Sequence, residues 1–451
     1  MIKKVNVVVI GGGNAGMSAA QHLAEAGATV CLVERNATLG GRSLKTGHYA
    51  RRILEETLKS GLSPQNEFPD IFDRCKIRIK EISDEWESQL KTMGIHIVFG
   101  EGKPQGSRAV QVQTSEGTET IETEKIIIAT GSRPNASIHL PLDGEIILSP
   151  QDFWDLEIDR VPVSVMVTGN EESSYETARF FKALGSKVFW VSESARLLPS
   201  AHVSLSAQLE ETAKKEKIKL LPGKKLESHL KNEDNVDITL EGGVKFSAEK
   251  IFIVENRKPE SSELGLEALG MRVGISGEIL TEENLETSVA GIFAAGSVRG
   301  RESYYGLAEE EGHIAAENAL GQVRNLSLDM TPRIVHSCPE LAWVGILADT
   351  AHHHGLRAIE GKVENIGTGF LNQGSGFCKL VCDKETQRII GAQLACDQAS
   401  ELIHLVSLCI RKGIKPQNLA KMNCFRSDSA NGLRVAALEC VRKLKNTKKL
   451  N

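Results

Sequence analysis

The sequence predicts an α/β protein in which two domains built on parallel sheets are followed by an α+β domain. Three observations carry this. The apolar run Val5 to Ile10 ends in Gly11-Gly12-Gly13 and leads into a helical pattern, Met17 to Ala26, and a second apolar run, Thr29 to Val33. The same strand–helix–strand order returns at Val163 to Thr168, Glu176 to Leu184 and Lys187 to Ser192. From Thr331 the pattern changes to a strand meander, Gly369 to Leu394, flanked by helices at Ala399 to Lys412 and Leu433 to Lys445.

The intervening elements follow in order. Gly27 stops the first helix, and Glu34 closes the second strand. Arg51 to Lys59 reads as a helix. Ile71 to Met93 reads as a long, charged amphipathic helix with apolar residues at helical spacing. Ile95 to Gly100 and Ala109 to Thr114 are expected strands. Lys125 to Ala129 is an apolar strand ending in Thr130-Gly131-Ser132-Arg133-Pro134. Ile251 to Glu255 closes the middle domain. Gly291 to Ala295 is a strand ending in Gly296-Ser297, and Leu307 to Leu320 is a helix. The expected division is 1–150, 151–270, 271–330 (completing the first domain) and 331–451, with the Lys-rich tail from Lys443 solvated.

Length and composition fit this plan. A chain of 451 residues suggests about three domains. Its 41% hydrophobic and 25% charged residues are those of a globular protein, and a net charge of −5 offers no basic face to nucleic acid. No apolar stretch is long enough to span a bilayer. The start Met1-Ile2-Lys3-Lys4 imitates a leader, but the apolar run behind it is short and ends in a glycine turn. A first strand and a cytoplasmic location are expected. The nine cysteines form no framework of paired spacings. Cys378 and Cys382 share a strand face roughly 13 Å apart, too far for a disulfide. Most of the cysteines are expected to be buried small hydrophobes.

Gly11-x-Gly13-x-x-Gly16 lies between a strand and a helix. Gly11 permits the tight turn, Gly13 admits a pyrophosphate against the backbone, and Gly16 lets helix and strand pack closely. The helix N-terminus supplies N–H donors. Glu34, at the end of the second strand, can accept from ribose hydroxyls. The second repeat is degenerate: Gly169-Asn170-Glu171-Glu172-Ser173-Ser174 keeps only its first glycine. A carboxylate about 4 Å from a phosphate would cost about 4 kcal/mol at intermediate dielectric. That is roughly a thousandfold in affinity. The next strand ends in Ser192, with Glu193 adjoining, rather than in a ribose-binding acid. Ordinary NAD(P)H binding is expected to be lost or weak.

Two further stretches set the family. Gly40 to Arg52 reads G-G-R-S-L-K-T-G-H-Y-A-R-R, and Pro339 to Gly345 reads P-E-L-A-W-V-G. With the fingerprint, Ala129-Thr130-Gly131 and Gly291 to Ser297, this layout resembles the flavin-linked disulfide reductases of the dihydrolipoamide dehydrogenase type over about residues 3 to 440. The resemblance implies two Rossmann-like FAD/NAD(P)-type domains plus a C-terminal dimerisation domain, with FAD as cofactor and each site shared between the subunits of a homodimer. It places Gly41, Arg42, Gly102, Ala129, Thr130, Gly131, Ser297 and Tyr304 at the cofactor, with Ser297 where the family has an aspartate. Tyr304-Tyr305-Gly306 would start a helix beneath the flavin.

The resemblance also shows what is changed. Ser43 and His48 stand where the family has its two redox cysteines. In Cys424-Phe425-Arg426-Ser427-Asp428-Ser429-Ala430-Asn431, Arg426 and Asn431 replace the histidine and glutamate of the acid–base pair. A guanidinium exchanges no protons at neutral pH. Glu176 matches a family glutamate whose lysine partner is here Arg52, so a cation near the flavin, or a structural bridge, is implied. The expected activity is FAD-dependent oxidation of a small anionic molecule. His48 would be the acid–base group, with Arg426 and Arg42, Arg51 and Arg52 the candidate anion contacts. The alternative is an inactive flavoprotein with a scaffold or regulatory role. No metal site is expected: His352-His353-His354 are adjacent on the chain and do not face one ion. Ser43 with His48 lacks the third orienting group of a hydrolase. Cys424 is expected to be a buried or edge thiol. Neither nucleic acid nor membrane is an expected partner.

Overall fold

The computed structural model describes all residues except 1–2, 60, 62, 65–66, 136–139, 255–256, 301–303, 367–375, 427 and 449–451, and the side chains of 47–48, 305, 365–366 and 447–448. The run Val5 to Ile10 lies in β1 (Lys4–Ile10), flanked in parallel by β2 (Val30–Glu34) and β6 (Gly117–Ile128), with Val8 opposite both Cys31 and Ile126. Val7, Val8 and Val9 are at most 2% exposed. Burial on both faces is what a parallel strand under two layers requires, and it explains why the run does not alternate.

β3 (His96–Phe99) extends the sheet beyond β2. β4 (Glu101–Pro104) and β5 (Ala109–Thr114) extend it, antiparallel, beyond β6. Sequence periodicity predicts only the last, apolar part of β6. Its polar first half is held by the ladder to β5.

Helix α1 (Asn14–Glu25) begins three residues before the predicted Met17, directly on Gly13, and packs Ala19, Ala20 and Leu23 into the core. Its end follows the prediction, with Gly27 at φ +83°. The stretch after β2 forms two short helices. α2 (Gly41–Lys45) ends at Thr46, whose backbone is extended and whose Oγ1 donates to the Arg42 carbonyl at 3.0 Å. α3 (Gly47–Leu58) follows. It starts four residues before the predicted Arg51, because the glycine- and threonine-bearing approach carries no apolar period to read. α4 (Phe68–Thr92) is the predicted long amphipathic helix, burying Ile71, Phe72, Cys75 and Ile79.

The second repeat pairs Ser164–Thr168 in parallel with Lys187–Ser192 and Lys250–Phe252. Its helix α5 (Glu172–Ala183) also starts four residues early, so the Glu171-Glu172 pair sits at its N-terminus. α6 (Val203–Lys215) is capped by His202, whose ring accepts from the Ser204 N–H.

The chain returns to the first sheet at Ile292–Ala294, parallel to β6, and enters α7 (Tyr305–Ala319). α7 runs beside α1 in the same direction. Ser18 Oγ donates to the Glu309 carbonyl at 2.8 Å, and a Cβ on Gly312 would lie 2.1 Å from the Ala15 oxygen. Only glycine allows that approach.

The chain divides into two compact units, 1–169 with 177–191 and 224–326, and 170–176 with 192–223 and 327–451. The second unit carries an antiparallel sheet in the order Arg333–Val335, Glu340–Gly345, Ile389–Cys396, Gly376–Asp383, Ala358–Ile366. The first residues of the predicted meander, from Gly369, lie outside the described residues. α8 (Ala399–Arg411) and the helix Ser429–Lys448 bury Ile403, Val406, Leu433 and Ala437 against this sheet. Seven of the nine cysteines are buried and none is disulfide-bonded, as the composition suggests. Cys378, Cys382, Cys396, Cys409 and Cys440 fill this one core as small apolar groups. A neighbouring thiol (Cys396 beside Cys378, Cys440 beside Cys382) and then burial push both well above the ordinary thiol range, so they stay protonated.

Candidate functional site

The turn after β1 opens a cleft of about 380 Å³ within the first unit. Gly11, Gly13, Glu34, Gly41, Arg42, Gly102, Ala129, Thr130, Gly131, Ser297 and Tyr304 all line it. Of the residues predicted for a dinucleotide, only Gly16 is absent from the lining, and it has the packing role given to it. A Cβ there would sit 1.8 Å from the Gly11 oxygen.

Each glycine has a distinct reason. Gly11 has φ +110°, and a side chain on it would strike the Ala129 carbonyl at 2.3 Å. Gly13 caps α1, and a Cβ on it would meet nothing within 4 Å. That open space lies at the N-terminus of a twelve-residue helix, where unpaired N–H groups point outward. It is the cradle a pyrophosphate needs. Glu34 is 5% exposed; its Oε2 accepts from the Gly12 N–H at 2.6 Å, and its Oε1 from the Asn36 N–H at 2.8 Å. The carboxylate is fixed by backbone and keeps lone pairs for ribose hydroxyls. The residues present therefore fit a dinucleotide cofactor of the FAD kind.

The former redox stretch forms one wall. Ser43 is buried, and its hydroxyl lies 2.5 Å from Asn14 Oδ1 and 2.7 Å from the Gly40 carbonyl. It is an internal tie between α2 and α1. Thr46 breaks the helix between Ser43 and His48, which is the second residue of α3; the His48 side chain lies outside the described residues. The three arginines diverge. Arg42 lines the cleft and Arg52 is exposed on α3. Arg51 is 5% exposed and pairs with Glu55, which corrects its expected place among the anion contacts: an inward, neutralised guanidinium is not offered to a ligand.

Two acidic residues on α7 lie next to residues that line the cleft, and neither is visible in the motifs. Glu309 is within 3.4 Å of Asn14 Nδ2, the residue that also meets Ser43. Burial raises its carboxyl above the ordinary glutamate value. Glu311 pairs with Arg299 in an ion pair that is almost fully enclosed, with side-chain exposures of 2% and 4%. Its second oxygen accepts from the Gly296 N–H at 2.6 Å, fixing the turn that presents Ser297. Of the run Glu309 to Glu311, Glu309 stays exposed, Glu310 is half-buried and only Glu311 is enclosed.

In the second unit Arg333 binds both carboxylates that stand at the start of α5. Glu172 takes two bonds from Arg333, Nε to Oε1 at 2.7 Å and Nη2 to Oε2 at 2.9 Å, while Glu171 Oε2 takes a third at 3.1 Å. Both carboxylates thus lie paired at the start of α5. Ser192 spends its hydroxyl on the Ser194 carbonyl at 2.9 Å. Glu176 is 3% exposed on α5. Arg426 is exposed, and Asn431 is held by Arg434, which reaches its Oδ1 at 2.8 Å, and by the Arg426 carbonyl. Cys424 is half-buried.

Fold and cleft define a two-domain dinucleotide scaffold of the flavoprotein type. The sequence pattern of the pyridine nucleotide-disulphide oxidoreductases matches residues 5–320, that of their dimerisation domain matches residues 331–427, and the chain belongs to this family. Its members are FAD-dependent disulfide oxidoreductases. The chain is 32% identical over 437 residues to a dihydrolipoyl dehydrogenase of Chlorobaculum parvum, covering 92% of each chain. It is 27% identical to a mercuric reductase of Staphylococcus aureus, covering 96% of this chain and 82% of that one. In fold it is similar to LpdA from Mycobacterium tuberculosis (TM-score 0.86, 23% identity, 97% and 99% covered). The flavoprotein disulfide reductase RclA from Escherichia coli is also similar (TM-score 0.81, 22% identity, 96% and 99% covered). No helix among the described residues is long and apolar enough to cross a membrane.

Proposed function

We propose that this protein is a homodimeric, cytoplasmic FAD-binding oxidoreductase that oxidises a small anionic substrate without a redox disulfide. The observation that carries the reading is the cleft at Gly13, which gathers eleven of the twelve cofactor residues predicted from sequence and puts Ser43, not a thiol, in its wall. Bound there, FAD would supply a two-electron acceptor. The α1 N-terminus would hold its pyrophosphate, Glu34 its ribose, and Ser297 its ribityl hydroxyls by a neutral hydrogen bond in place of the family's charge-assisted one. Arg42 would keep positive charge beside the cofactor, with Arg52 on α3 a second cation. His48 would take the proton that leaves the substrate, while Arg426 from the second copy of the chain would hold its carboxylate. Electrons would pass on to an acceptor other than a thiol pair, molecular oxygen being a class that needs no further site.

A second reading, an inactive flavoprotein with a scaffold or regulatory role, is favoured by one observation: Glu171 and Glu172 cover the start of α5 with their own charge, so NAD(P)H has no clear seat. The same preparation tests both. The purified protein should be yellow, and anaerobic NADH should fail to bleach it. A scan of small carboxylates should then find one that bleaches it, with His48→Ala slowing that step by about 10²-fold or more. A protein that no carboxylate reduces, and that His48→Ala leaves unchanged, leaves the second reading standing. A colourless protein that FAD does not reconstitute ends both.

A further inference from the structure

We propose that His22, His313 and Glu317 form a binding site for one divalent transition-metal ion of the zinc or copper class. It would lie at the opposite ends of α1 and α7 from the cofactor cleft. His22 lies in the last turn of α1, and His313 and Glu317 lie one turn apart on α7. The two rings are 4.0 Å apart between centroids, and His313 Nε2 is 3.6 Å from Glu317 Oε1. One ligand atom from each of the three residues falls within 4.8 Å of the others. In a tetrahedral site with bonds near 2.0–2.1 Å, ligand atoms are about 3.3–3.4 Å apart. The His313–Glu317 separation is already close to that, and the remainder is within reach of small side-chain rotations.

The donor set and its surroundings point to a cation of this kind. Two imidazoles and one carboxylate suit zinc, copper or nickel rather than calcium or magnesium, which take oxygen. Glu317 is oriented from behind: its other oxygen, Oε2, accepts from Arg324 Nη1 at 2.7 Å, leaving Oε1 turned to His313. Such an outer partner fixes a ligating carboxylate. The Arg324 charge is shared with Glu310, which takes Nη2 at 2.6 Å, so the group carries net negative charge before any ion binds. His22 and Glu317 each sit in the last turn of a helix, the end whose dipole favours a cation. The fourth position would be left to water. The ion would pin two helices whose other ends, at Asn14 and Ala308, line the cofactor cleft. The site is invisible in the sequence because its halves lie in the first and last helices of the same domain.

The test uses the full-length protein carrying His352→Ala, His353→Ala and His354→Ala, which removes the exposed imidazoles away from the site. Zn(II) titrated by calorimetry should bind one equivalent per chain and raise the thermal midpoint. His22→Ala, His313→Asn and Glu317→Gln should each weaken the site at least about tenfold. Cu(II) at one equivalent should show nitrogen couplings from two imidazoles in its paramagnetic resonance spectrum. Glu317→Gln keeps the side-chain shape and an acceptor for Arg324, so it reports on the ion even if a histidine variant fails to fold. One equivalent bound with unchanged affinity in the Glu317→Gln and His22→Ala variants, or no binding in the parent, overturns the proposal.

Discussion

Arg333 and Glu172 are joined by two parallel bonds, Nε to Oε1 at 2.7 Å and Nη2 to Oε2 at 2.9 Å, with side chains only 10% and 13% exposed. This bidentate pair turns a degenerate nucleotide turn into a structural clasp. Breaking a buried pair from one side strands the other charge and typically costs about 3–5 kcal/mol. Glu172→Ala leaves Arg333 the single Glu171 contact at 3.1 Å, so it should cost less than that, about 2 kcal/mol, read as a shift in the denaturation midpoint.

Glu171 makes the weaker, single contact to Arg333 at 3.1 Å and is 27% exposed. Glu171→Gly should cost little stability. It removes a carboxylate from the place where a pyrophosphate would approach, and it should tighten NADH binding at least about tenfold by relieving charge repulsion. Nucleotide fluorescence titration of the variant against the parent reads this; equal affinities would show that the turn is closed for another reason.

How much of this was legible in the sequence depends on range. The first site was legible almost whole, because strand, turn, helix and Glu34 are consecutive and each glycine answers a local demand. The clasp was half legible: Glu171 and Glu172 announce a lost fingerprint, but Arg333 is far along the chain, and only the fold brings it there. The starts of α3 and α5 were read late because their first turns are polar and carry no apolar period. The enclosure of Glu311 is not legible either, because its partner Arg299 lies on another element and no local pattern encodes the pair.

Glu309 makes a pH prediction. Burial raises its carboxyl above the ordinary value of 4.5. A group whose folded value is raised favours the fold while it is protonated, below about 4.5, and that contribution is lost as pH rises through the folded value. Glu309→Gln removes the loss while keeping an acceptor near Asn14. The variant should be more thermostable than the parent at pH 7–8, with the difference shrinking as pH falls toward about 5. A constant difference across that range would mean the carboxyl does not titrate as described.

The enclosed Arg299–Glu311 pair links stability to cofactor retention. Glu311→Gln should destabilise the first unit by about 3 kcal/mol by leaving Arg299 unbalanced. It should also loosen the turn at Gly296, whose N–H Glu311 holds, and so speed cofactor release. Replacing both residues, Arg299→Met with Glu311→Leu, removes the stranded charge and should recover much of the stability but not the retention. Denaturation and flavin-release rates, measured on the same variants, separate the two effects.

Restoring both thiols should not restore disulfide chemistry. Ser43→Cys with His48→Cys returns the family's residue types, yet Ser43 sits on α2 and His48 on α3, with extended Thr46 between them. Ser43 also ties Asn14 to Gly40, and a thiol is a much weaker donor for that tie. On the proposed reading two other requirements also stay unmet: Asn431, bonded by Arg434, has no titratable proton, and Glu171 and Glu172 keep their charge at the start of α5. The double variant should therefore show no NADH-dependent reduction of lipoamide above the parent. Activity gained from these two substitutions alone would mean that only the thiols had been lost, and that Arg426, Asn431 and the carboxylates at α5 do not block the older reaction.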